Sequence, residues 1–150
     1  MQDKIEKVID LKAPRSRVWK ALTDHHQFGQ WFRVKIDEPF RTGEVSRGHM
    51  LYPGYEHVQW DALIEAIEPE TRFAYRWHPY AVDSKRDYSD EERTTVEFRL
   101  EEITDGTRLY VTESGFSKIP EARRAEAFRS NEGGWTQQMQ NIAEYVATNS

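Results

Sequence analysis

Between Ser130 and Val146 the apolar residues Trp135, Met139, Ile142 and Val146 follow one another at steps of four, three and four. That spacing puts them on one side of an α-helix, with Glu132, Thr136, Gln137, Gln140 and Glu144 on the others. Ser130 or Asn131 is placed to cap its start, because a short side-chain oxygen satisfies an unpaired backbone N–H there. Gly133-Gly134 costs helix propensity, about 1 kcal/mol each relative to Ala. Beside Trp135 the pair marks either a close approach of backbone or ligand, or a bend between two helices. Upstream, EARRAEAFR after Pro120 reads as a short charged helix leading into this one.

Ahead of these helices the period is mostly two. Lys4 to Lys12 puts Ile5, Ile9 and Leu11 on one strand face. Ala13-Pro14 opens a helix with Val18, Trp19 and Leu22 on its apolar side, and Thr23-Asp24 closes it and caps a short second helix ending at Gly29. Trp31-Phe32 follows, and Phe32, Val34 and Ile36 alternate as a strand. Glu44 to Met50 is a weaker strand, and His49 to His57 a loop rich in aromatics and histidine. Trp60 to Glu68 and Arg72 to His78 are strands, the second with Phe73, Tyr75 and Trp77 on one face. Pro79 to Glu92 is polar and reads as a solvated loop. Thr94, Val96, Phe98 and Leu100 then alternate towards the Asp105-Gly106 turn, and Leu109 and Val111 carry the returning strand to Gly115-Phe116. Successive strands joined by short turns predict an antiparallel sheet wrapped around one long helix, an α+β chain.

At 150 residues the chain suits a single domain, 1–150, with one core. Its hydrophobic fraction is only 37%, yet 13% of residues are aromatic, which disordered chains are not. No apolar run approaches the ~20 residues needed to span a bilayer, and MQDKIEKVIDL lacks a signal-peptide profile. A cytoplasmic protein without membrane insertion is the expectation. The absence of cysteine excludes disulfides and Cys-ligated metal, and a net charge of −5 argues against nucleic acid.

Three stretches, APRSRVWKALTD…WF, GTRLYVTESGF and GWTQQMQNIAEY, resemble the homologue family of the activator of the heat-shock-protein-90 ATPase, part of the START-like superfamily. The likeness spans nearly the whole chain with its motifs in order. It implies a helix-grip fold: a curved antiparallel sheet of six or seven strands around the C-terminal helix. The family name also brings in a possible chaperone partner. The eukaryotic activator has a separate N-terminal domain not found in these residues, so a co-chaperone role is the weaker expectation. Some relatives carry oxidoreductase names, but neither a cysteine cluster nor a Gly-rich nucleotide loop is present here.

The five histidines, His25, His26, His49, His57 and His78, show no metal-ligand spacing, so neither metal nor cofactor is expected. His49 and His57 flank a turn across which they can meet. Glu113 continues the alternation of Leu109 and Val111, so its carboxylate either faces the helix and must be paired, or reaches solvent at the rim near Gly115. Arg123, Arg124 and Arg129 alternate with Glu121 and Glu126 and read as a solvated face. Tyr75, Trp77 and Phe98 on strands, with Trp135 and Met139 on the helix, are either core filling or the walls of a pocket for a flat apolar molecule. Trp60, Tyr52 and His49 near an open end, Val111, and Glu113 as polar handle complete the candidate set. The expected function is binding of a small hydrophobic or aromatic ligand. A cyclase or hydrolase in the same cavity, or an adaptor on the chaperone, is the alternative, and the oligomeric state is left open.

Overall fold

Strand alternation builds one seven-stranded antiparallel sheet in the order β1-β7-β6-β5-β4-β3-β2. Its strands are β1 (Lys4–Leu11), β2 (Val34–Ile36), β3 (Val45–Met50), β4 (Gln59–Glu68), β5 (Arg72–Trp77), β6 (Thr94–Ile103) and β7 (Gly106–Ser114). The helices are α1 (Arg15–Thr23), α2 (His25–Phe32) and α3 (Glu121–Thr148), with a short 3₁₀ turn at Phe116–Lys118. The structure is a computed structural model and describes residues 3–83 and 85–148. None of its helices is long and apolar enough to cross a membrane.

The connection between β1 and β2 differs from the sequence reading. Asp24 does cap α2, accepting from the backbone N–H of His26 and Gln27. The helix then runs past Gly29 to Phe32 and closes on Arg33, whose φ of 66° is left-handed. Trp31 and Phe32 are therefore helical, not the start of a strand. Phe28, Trp31 and Phe32 follow the i, i+3, i+4 spacing of a helix face, which in so short a segment competes with the alternation of 32, 34 and 36. Gly29 is needed for contact: a Cβ there would lie 2.4 Å from the Val34 carbonyl oxygen.

At the C-terminus one 28-residue helix replaces the expected pair. It runs unbroken through Gly133 and Gly134, and Ser130 and Asn131 lie mid-helix rather than at a cap. Trp135, Met139, Ile142 and Val146 are buried, as their spacing requires. α2 and α3 lie over one face of the sheet, and the aromatic rings of α2 pack between. Phe28 touches Trp60, Phe73 and Tyr75, Trp31 packs edge-on against Phe98, and Phe32 meets Trp77 and Trp135.

The loop from 79 to 92 is tied down rather than merely solvated. Arg123 is buried and donates to the Pro79 carbonyl at 2.8 Å and to Glu91 at 2.8 Å, with its guanidinium over the Tyr88 ring. The basic residues of EARRAEAFR are thus not one solvated face: Arg123 points inward to hold a loop that also carries its counter-ion. Burial alone would raise the Glu91 pKa, but the bonds and charges of Arg123 and Arg86 outweigh it and hold it low.

Candidate functional site

Antiparallel register carries one row of side chains across the inner face: Ile5, Glu113, Val96, Tyr75 and Ile64, each paired with the next. Four are apolar or aromatic and the fifth is a carboxylate. Glu113 is fully buried, so the rim alternative is overturned. β1 pairs with β7 as far as Lys4 and Ser114, which extends the sheet past Glu113, and α3 covers it from above.

Four neutral donors hold the carboxylate. Oε1 accepts from the Trp135 indole at 2.8 Å, and Oε2 from the Trp77 indole at 2.7 Å and the Thr94 hydroxyl at 2.6 Å. The Asn131 amide reaches both oxygens, at 2.9 and 3.2 Å. Burial pushes the Glu113 pKa up, and the bonds from Thr94, Trp135, Trp77 and Asn131 offset only part of that rise. Tyr75 lies beside it, its phenol driven well above the ordinary value by burial and then by the Glu113 charge. The Tyr75 hydroxyl is buried and has no hydrogen-bond partner among the described residues.

A cleft of about 160 Å³ opens between β5 and the middle of α3, lined by Phe32, Met50, Trp77, Asn131, Gly134 and Trp135, with Ser130 and Gln138 at its edge. Three of the four residues that hold Glu113 are therefore also its walls. Gly134 leaves it open, since a Cβ there meets nothing within 4 Å. The pair of glycines thus marks neither a bend nor a close backbone contact. Larger hollows lie on the outer surface: about 370 Å³ beside Asp37 and Arg47, about 560 Å³ beside His25 and Arg33, and about 480 Å³ beside His57 and Arg86. Charged side chains contribute to each, and of these hollows the last shares one wall, Trp77, with the smaller cleft. The smaller cleft is the one lined by three of the residues that hold Glu113.

Of the residues singled out from sequence, the structure brings Trp77, Glu113 and Trp135 together at the cleft. Tyr75, Phe98, Val111, Met139 and Trp60 are buried in the packed core. Phe98 packs against Trp135 at 5.7 Å between ring centroids, and Trp60 donates its indole N–H to Ser46. Tyr52 is half-buried beneath the Arg33 guanidinium, and His49 on β3 pairs with Gln59, both outside the cleft lining. His57 bonds to the Val82 carbonyl rather than meeting His49 across the turn. Thr94, Asn131, Phe32 and Met50 were not foreseen as site residues, whereas Gly134 belongs to the glycine pair read as a place of close approach or a bend. Thr94 carried a signal, for its apolar-phase position on β6 marks it as inward-facing. Among the described residues no three His, Asp or Glu side chains converge as metal ligands.

The family model described as activator of Hsp90 ATPase homolog 1-like protein matches residues 12–147. No curated protein matches the chain by sequence. Among solved structures, protein MLL2253 from Mesorhizobium loti superposes with a TM-score of 0.77 at 24% identity, over 98% of each chain. The Aha1 dimer from Colwellia psychrerythraea gives 0.72 at 15% identity, over 97% of this chain and 96% of that one. DynU16, from the dynemicin biosynthetic locus, gives 0.75 at 22% identity. It covers all of this chain, which spans about half of DynU16 (49%). At these identities the likeness is one of fold: the helix-grip architecture of START-like proteins.

Proposed function

The chain belongs to the activator of Hsp90 ATPase homolog 1-like family, and we propose that it acts as a single START-like unit that binds a small hydrophobic or aromatic molecule in the cleft between β5 and α3. The observation that carries this reading is the coincidence of two features at one place. The only fully buried acid among the described residues lies directly behind the walls of the cleft, and a glycine keeps that cleft clear. A packed core alone requires neither. At about 160 Å³ the cleft is smaller than most drug-sized sites, so it suits a single ring or a short chain. Affinity for such a ligand is about micromolar or weaker. The occurrence of DynU16 in a biosynthetic locus supports a small molecule rather than a polymer as ligand.

A titration followed by two-dimensional NMR tests it with a small library of phenols, flavonoids and fatty acids. The indole N–H signals of Trp77 and Trp135 both report on the Glu113 bonds and should move together, while that of Trp19 stays in place. If no compound shifts either signal, or the shifts map to residues 79–92, the cleft is not a binding site. A chaperone partner is the second reading, favoured by the family description alone. A saturable rise in chaperone ATP turnover on adding the protein would move it to first place.

A further inference from the structure

Three other partly buried acids are held by arginine. Glu91 is held by Arg86 and Arg123, Glu97 by Arg72 and Arg99, and Asp61 by Arg93 and Arg47. Glu113 is buried more deeply than any of these, yet no ion pair among the described residues reaches it. Its four donors fill the lone pairs but are all neutral, so the carboxylate has no compensating charge. An uncompensated charge in a dry site is costly, and that cost is relieved by anything that brings a cation to it.

The cleft is shaped to admit one. Phe32, Trp77 and Trp135 give it aromatic walls, whose π-faces attract an organic cation as readily as an apolar ring. Asn131 is the movable donor: it is half-buried, lines the cleft, and spans both carboxylate oxygens with one amide nitrogen. An ammonium N–H arriving from the cleft would occupy that same position. Resting on the cleft as binding site, we propose that its ligand is a small organic amine, which binds as the cation. Its N–H replaces the Asn131 amide on Glu113 while its apolar body lies against Trp77, Phe32 and Met50. The groups that face Glu113 are Ile5 from β1, Thr94 and Val96 from β6, Tyr75 and Trp77 from β5, and Asn131 and Trp135 from α3. Of these only Tyr75 titrates, and its raised pKa keeps it neutral. The amine preference is therefore governed by Glu113 and should fade in acid as the carboxylate takes up a proton.

The test compares phenethylamine with phenethyl alcohol, which have the same shape and differ in charge, by calorimetric titration of the full chain near neutral pH. The amine should bind at least about tenfold tighter than the alcohol. The advantage should fall below about twofold in Glu113→Gln. Asn131→Ala, which frees the carboxylate without adding bulk, should tighten the amine about threefold or more. Equal binding of the two probes, or an amine advantage that survives Glu113→Gln, overturns the inference while leaving the cleft as a binding site. Amine binding unchanged or weakened in Asn131→Ala overturns it as well, and keeps the test decisive if the glutamine variant does not fold. If neither probe shifts the Trp77 or Trp135 indole signals this inference is overturned, and the proposed function then falls only if the phenols, flavonoids and fatty acids fail to shift them as well.

Discussion

Replacing Glu113 by glutamine keeps the size and shape of the side chain and removes one of its two acceptors. Trp77 donates to Oε2 and Trp135 to Oε1, and an indole N–H can only donate. Whichever way the amide is turned, its NH₂ group confronts one of the two indoles. A buried donor left without a partner costs about 1–3 kcal/mol. Relief from carrying a buried charge acts in the opposite direction, and pH separates the two effects. The folded Glu113 pKa is raised, so the folded state keeps this proton to higher pH than the unfolded chain does. Wild-type stability therefore falls as pH climbs from the ordinary glutamate range through the folded value, by up to about 1.4 kcal/mol per pH unit. The glutamine variant has no such slope. Other acids whose values are lowered, Asp3, Asp10 and Glu97 among them, lose stability as pH falls, but they do so equally in both proteins. Urea unfolding followed by tryptophan fluorescence from about pH 5 to 8 gives the difference directly. The variant should be weaker by about 1–3 kcal/mol near pH 5, and the gap should narrow as pH rises. A variant within about 0.5 kcal/mol of wild type near pH 5 would refute the role of the network. A gap that widens with pH would mean that the four donors lower the Glu113 pKa rather than fail to offset its burial.

Three further substitutions probe the helix that closes the site. Gly134→Ala adds a methyl group where nothing lies within 4 Å and removes the helix penalty of glycine, so it should stabilise by about 1 kcal/mol in the same urea assay. Gly134→Leu should fold as well as wild type and abolish the ligand-induced shifts of the Trp77 and Trp135 indoles; retained shifts would show that binding does not pass the glycine. Arg123→Ala removes the principal partner of Glu91, and a buried pair broken on one side costs about 3–5 kcal/mol. Arg86 still reaches Glu91, so a loss of about 3 kcal/mol is expected, together with faster amide exchange in residues 79–92. Unchanged exchange there would show that the loop is held by other contacts.

The strands from β4 to β7 were legible because large apolar side chains recur at every second position on the inner face, so alternation reports the sheet directly. Where the reading failed, the missing information was non-local. The short helix expected to end at Gly29 runs on to Phe32, and over eight residues a period of 3.6 cannot prevail over the alternation of 32, 34 and 36. Its helical state is fixed by the Asp24 cap, the left-handed Arg33 and the rings it sets against the sheet. The split of α3 into two helices followed from reading Ser130 or Asn131 as a helix start, just ahead of the low-propensity pair Gly133-Gly134. Propensity is a weak term beside the anchoring of the helix by Arg123 on one side of the pair and Trp135 on the other. Arg123 was read as solvated because arginine usually is. That Glu91 and the Pro79 carbonyl return to meet it depends on the course of a loop whose polar residues carry no periodic signal.

At the site, the phase of Glu113 could be read but its depth could not. Alternation says which face of a strand a residue occupies, and says nothing of whether the neighbouring strand extends beyond it. Here β1 does, pairing Ile5 with Glu113 and Lys4 with Ser114, and the rim becomes interior. Asn131 was invisible as a partner while it stood at a presumed helix start. With the helix beginning at Glu121, its amide is freed from capping and turns to the carboxylate. The two tryptophans carry the more general argument. Each has a single polar atom, and a buried indole N–H seeks an acceptor. An apolar stripe and an aromatic-rich strand are ordinary core material taken one at a time. When both present a donor-only atom to the same interior, and the one inward-phased acid lies between them, the three are better read as a unit. In this chain the rings close the core and their nitrogens hold Glu113 at the inner end of the cleft.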